Sequence, residues 1–78
     1  MATPGHNAAV RAALPVAARD LGAPVAHLTV SGVVRRRKAH TKVPFYIVSF
    51  EDRVGNRRAY FVTEDATRVE PYGYVPTH

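Results

Sequence analysis

Phe45-Tyr46-Ile47-Val48-Ser49-Phe50, Glu51-Asp52-Arg53-Val54-Gly55-Asn56 and Arg58-Ala59-Tyr60-Phe61-Val62-Thr63 follow one another almost without a gap. Two runs of aromatic and β-branched residues flank a polar segment, which is the pattern of strand, turn and strand. Gly55 and Asn56 supply the residue types that tolerate positive φ in a hairpin turn. In the first of these strands Phe45, Ile47 and Ser49 share one face, and Tyr46, Val48 and Phe50 the other. Both faces are apolar or aromatic. Each needs a cover, from the chain itself, from a partner or from a second copy.

Upstream, Leu28, Val30, Gly32 and Val34 alternate with His27, Thr29, Ser31 and Val33, which predicts another strand with one buried face. Before it the period changes to that of a helix. Val10, Leu14, Ala17, Ala18 and Leu21 form an apolar stripe, Asn7 is placed to cap it, and Gly22 and Pro24 end it. Pro15 removes a helical hydrogen bond, so a kink is expected there, or a short first turn with the main helix starting near Pro15. Downstream, Thr67-Arg68-Val69-Glu70 reads as a short fourth strand or as the exit from the sheet. The fold expected is α+β: an N-terminal helix packed on a three- to four-stranded antiparallel meander. Residues 1–6 form a leader, 7–70 a single αβββ domain and 71–78 an extended tail.

The 78-residue chain is near the lower limit for a domain without staples, and it has no cysteine. Stability must then come from packing, a partner or self-association, as a monomer or a homodimer. Lack of cysteine removes thiolate chemistry and fits a reducing cytoplasm. No apolar run approaches the ~18 residues of a membrane span. The alanine-rich start is interrupted by Arg11 and Pro15 and lacks a basic beginning, so it is not read as a signal peptide.

Charge is concentrated. Arg35, Arg36, Arg37, Lys38 and Lys42 are five of the eleven basic residues and lie in one run that contains no acid. The segments before and after it nearly balance, so the formal net charge of +5 is in effect the charge of this run. It falls between the first two strands, where it can form a β-ribbon arm. Such an arm suits phosphates, each neutralised one adding a salt-dependent contribution. It also suits an acidic protein surface, because arginine pairs bidentately with carboxylates. The plainer alternative is a solvated loop that keeps a sheet edge from aggregating.

Arg57 and Arg58 form a secondary basic group, with Glu51 and Asp52 nearby to neutralise it. Tyr46, Tyr60, Phe61, Tyr72 and Tyr74 invite a stacking reading, with Tyr46 and Tyr60 as secondary partner-binding candidates, although strand aromatics ordinarily pack in the core. His6, His27, His40 and His78 have no metal-ligand spacing. No phosphate loop, nucleophile elbow or thiol is present, and the sequence predicts neither an enzyme nor a cofactor.

Tyr46-Ile47-Val48-Ser49-Phe50-Glu51-Asp52, with Gly55 and Tyr60-Phe61-Val62, resembles the central hairpin of small SH3-like barrels of the Tudor and KOW kind. That resemblance implies a binding module and offers a second fold, a small barrel with a leading helix. A tiny, basic, cysteine-free αβββ chain is also similar in type to inhibitors that phages and mobile elements direct at nucleoprotein machines, anti-CRISPR proteins among them. That similarity implies a non-enzymatic protein whose arm blocks a nucleoprotein complex, such as a CRISPR effector. The alternative is an accessory protein that binds DNA or RNA directly.

Overall fold

A computed structural model describes residues 4–37 and 43–72. Lys38 and Lys42 of the basic run, residues 1–3 of the leader and residues 73–78 of the tail lie outside the described residues.

Helix α1 spans Pro4–Leu21, so it begins inside the segment read as a leader rather than after Asn7. Proline is tolerated in a first turn because its missing N–H has no helical acceptor there. The helix runs through Pro15 as one element, without a separate first turn. Pro15 is exposed, as is Arg11, whose carbonyl loses its donor, so the defect sits on the solvent side.

The buried stripe is Ala9, Ala13 and Ala17, each 0% exposed, with Val10, Leu14 and Val16 packed along its flanks. The predicted stripe of Val10, Leu14, Ala17, Ala18 and Leu21 is therefore rotated toward smaller side chains. The reason lies opposite. The sheet fills the interface with Tyr46, Phe50 and Tyr60, and a helix meeting such bulk packs best through methyl groups. Gly22, at φ 64°, ends the helix in a Schellman motif. Its N–H donates to Arg19 and that of Ala23 to the carbonyl of Ala18.

A 3-10 turn at Val25–His27 leads into β1 (Thr29–Arg37), followed by β2 (Pro44–Glu51), β3 (Arg57–Thr63) and β4 (Val69–Pro71). The four strands form one antiparallel sheet in sequence order. β1 and β4 are opposite edges and the sheet is open, so the barrel alternative is corrected. A fourth strand of three residues has no length left to curl back to β1. The fourth strand is real and carries Pro71, which an edge strand accepts.

Tyr46, Val48, Phe50, Tyr60 and Val62 meet α1 and form the core with its alanines. The expected alternation of Val30, Gly32 and Val34 breaks at a bulge. Val30 pairs with Phe50, but Gly32 pairs with Ser49 and Val33 with Val48. The extra residue at Ser31 turns Val33 toward the helix, where it packs on the core, and leaves Val34 exposed on the other face.

Two turns are held by aspartates. Asp52 accepts from the backbone N–H groups of Val54 and Asn56 and from the Asn56 side chain, and Gly55 takes the positive φ. Asn56 does not share that conformation; Ala66, at φ 62°, is the sole non-glycine among the described residues that does. Asp65 accepts from the Thr63 and Thr67 hydroxyls and the Thr67 N–H. These bonds, those from Thr67 and Thr63 above all, hold its carboxyl below the usual range.

Candidate interface for an anionic partner

α1 covers one face of the sheet. The other carries Val34 and Arg36 from β1, Phe45, Ile47 and Ser49 from β2, Ala59, Phe61 and Thr63 from β3, and Glu70 from β4, as the register requires. Phe45, Ile47 and Phe61 are half-buried and Val34 is 43% exposed. No helix or strand among the described residues covers this face. Phe45 and Phe61 are diagonal neighbours whose rings stack, with centroids 4.7 Å apart and planes inclined by 28°.

The three described arginines of the basic run are not equivalent. Arg35 pairs with Tyr46 and so stands on the helix side of the sheet. Its Nη2 donates to Glu64 Oε2 at 2.7 Å. That bond, with a second to the Tyr46 hydroxyl, raises an already high guanidinium pKa. Arg35 therefore fastens β1 to the turn after β3. Arg36 lies directly across from Phe45 on the open face, and Arg37 across from Pro44. Among the described residues no acid forms a salt bridge with Arg36 or Arg37.

The end of the helix adds to this potential. His6 meets the Tyr46 ring edge-on at 5.2 Å, which places the first turns of α1 at the same end of the sheet as Arg35 and Arg36. The first turn contains no acid, so the positive pole of the helix dipole is uncompensated by its own side chains.

Tyr46 and Tyr60 are not stacking surfaces. They are 3% and 1% exposed, in the core beneath α1. The Tyr60 hydroxyl donates to Asp20 Oδ2 at 2.8 Å, and burial first, then this bond, raises its pKa. The aromatics that face outward are their neighbours Phe45 and Phe61. Of these, the sequence reading named Phe61 among the stacking aromatics and missed Phe45, because β2 is apolar on both sides and alternation alone does not say which side the helix takes.

Arg57 and Arg58 diverge. Arg57 Nε binds Glu51 Oε1 at 3.1 Å beside the open face, a solvent-exposed pair of small energetic weight. Arg58 borders a surface cleft of about 370 Å³ whose wall includes Asp20, Tyr60 and Tyr72. The Asp20 carboxylate there works against an anionic guest.

Every buried side-chain N or O atom among the described residues has a hydrogen-bond partner. No group of described His, Asp or Glu residues could hold a metal ion. No described helix is long and apolar enough to cross a membrane. The chain matches no family model, no curated protein and no solved structure.

Proposed function

We propose that this chain is a non-enzymatic, cytoplasmic binding protein that engages a nucleic-acid-handling partner through the basic end of its sheet. The observation that carries the reading is the pair Arg36 and Arg37. They lie at the end of β1, beyond its bulge, with no salt bridge to an acid among the described residues, while Arg35 beside them is consumed in bracing the fold. The strand has already ordered their backbone, and a planar guanidinium fork loses less freedom per hydrogen bond than a lysine does, so a few such contacts can dominate an interface. In the first form of this reading the protein blocks a nucleoprotein complex, as small phage inhibitors of the anti-CRISPR type do. The arginines then occupy the track where DNA or guide RNA would lie. The test is capture of labelled target DNA by a purified CRISPR effector complex, with native protein and with the Arg36→Ala/Arg37→Ala variant. The expected result is loss of capture with the native protein and recovery with the variant. Undiminished capture sinks the blocking reading for that complex.

A second reading, direct binding of DNA or RNA, is favoured by the same two arginines, which lie side by side at the end of β1 with no salt bridge to a described acid. Direct binding must weaken steeply as salt rises, because released counterions drive it. Absence of binding to any oligonucleotide at low salt would end that second reading.

A further inference from the structure

We infer that the outer edge of β1, from Val33 to Arg37, takes up an extended acidic segment of a protein partner as an added strand. The inference rests on the first form of the proposed function and deepens it. It names protein as what Arg36 and Arg37 meet, and it adds the backbone of β1 as a second recognition element.

The ladder fixes which backbone groups point outward. The Asp52 N–H donates to the Asn56 carbonyl at 3.0 Å, which makes that couple a bonded pair of the β2–β3 hairpin. Bonded and non-bonded pairs alternate from there, so Phe50, Val48 and Tyr46 bond to β3, and Ser49, Ile47 and Phe45 to β1. The bonds from the Tyr72 N–H to Ala59 and from the Thr63 N–H to Arg68 agree. Ala59 and Thr63 stand opposite Ser49 and Phe45 and turn the other way, to β4. On β1 the partners Gly32, Val34 and Arg36 therefore spend their N–H and C=O groups on β2. Val33, Arg35 and Arg37 direct theirs away from the sheet. Among the described residues no strand pairs with that edge, and Val34, Arg35, Arg36 and Arg37 are all exposed.

The bulge and the charge select the occupant. The break in register between Val30 and Gly32 ends the regular repeat, so the usable edge runs from Val33 to Arg37. An antiparallel second copy that used this whole segment would set Arg35 against its twin, with Arg36 diagonal to Arg36. Such like-charge neighbours destabilise a strand pair. Glu64 compensates Arg35, and among the described residues no acid forms a salt bridge with Arg36 or Arg37. Neighbouring strand residues point to opposite sides, so these two arginines stand one on each side of the sheet. A partner strand with two consecutive acidic residues presents one carboxylate to each side while its main chain extends the ladder. A nucleic acid supplies the charge but has no alternating N–H and C=O groups for the edge.

The experiment uses the full chain and a labelled peptide of about seven residues, valine and threonine around two consecutive glutamates. One control peptide carries glutamine in place of both glutamates, and another keeps the glutamates but is N-methylated along its backbone. Labelled oligothymidylate is the nucleic-acid probe. Fluorescence anisotropy at low salt compares the native protein with Arg36→Ala/Arg37→Ala, and amide hydrogen exchange follows the native protein with and without the acidic peptide.

The acidic peptide should bind and slow exchange at the Val33, Arg35 and Arg37 amides, leaving Val34 and Arg36, already bonded to β2, unchanged. The glutamine peptide and the arginine variant should each weaken binding about tenfold. N-methylation should weaken it at least about tenfold although both carboxylates remain. Undiminished binding of the N-methylated peptide, or no added protection at the three outward amides, would overturn the added strand and leave charge attraction alone. Binding of oligothymidylate without binding of the acidic peptide would assign the arginines to nucleic acid and likewise overturn the inference. No binding of any peptide would overturn it too, whereas the blocking reading stands or falls separately, on DNA capture and its recovery in the arginine variant.

Discussion

The two faces of this sheet are built from the same kinds of residue yet have different physical fates. Tyr46, Val48, Phe50, Tyr60 and Val62 are at most 3% exposed beneath α1, whereas Phe45, Ile47 and Phe61 one residue away are only partly buried. The covered face packs the core against α1; the other face is covered by no helix or strand among the described residues. In so small a chain one helix can cover only one side, so the difference follows from size as much as from sequence.

The largest separation between the faces is expected from deleting a ring on each. Phe50→Ala should cost about 3–5 kcal/mol, a large share of a small domain's stability. Phe45→Ala should cost about 1 kcal/mol, the worth of one aromatic contact on a half-wet surface. Urea denaturation of both variants measures the gap, and equal losses would mean that the open face belongs to the core.

The alanine stripe gives the next effect. Ala13→Leu inserts bulk where α1 lies against the sheet and should cost about 1–3 kcal/mol, while Arg11→Ala on the outer side of the helix should leave the melting temperature almost unchanged. A tolerated leucine would show that the helix can lift without loss.

Tyr60→Phe should remove about 1 kcal/mol by deleting the bond to Asp20. It should also change the alkaline limb of the stability curve. The folded hydroxyl holds its proton above the ordinary value of ~10 that the unfolded chain shows. Stability from this group is therefore complete below about pH 10 and is lost as pH rises above it. Thermal melts across that range should fall for the native protein and flatten for the variant.

Smallest of all is the pair Arg35→Ala and Arg36→Ala. The first breaks the bonds to Glu64 and Tyr46 and should lower the melting temperature slightly, less so in high salt. The second, whose side chain forms no salt bridge among the described residues, should not change stability while weakening any anionic ligand. A stability loss at Arg36 equal to that at Arg35 would erase the distinction between brace and contact.

Much of this architecture is legible in the sequence. The β2–β3 hairpin declares itself through two β-rich runs and Gly55, and the end of the helix through Gly22 and Pro24. What alternation could not carry was phase. A bulge near Ser31 shifts Val33 and Val34 by one face, and nothing in Thr29-Val30-Ser31-Gly32-Val33 marks which residue is extra. The same gap hid Phe45, because Tyr46 and Phe45 are equally good strand residues until the helix selects one side. The brace between Arg35 and Glu64 was out of reach for a different reason. It joins residues 29 positions apart, and a charge run read along the chain shows sign but not pairing.

Pro71 has one more consequence. Backbone bonds from Thr63 to Arg68 and from Tyr72 to Ala59 show that alternate β4 residues turn their polar groups inward to β3, which leaves Val69 and Pro71 facing outward. Where an incoming strand would seek an N–H on that rim, proline has none. The opposite rim, β1, ends in three consecutive arginines, and a second copy laid alongside in parallel register would bring like charges together. Each rim thus carries a feature that disfavours edge-to-edge pairing, a missing donor on one side and a like-charge clash in parallel register on the other.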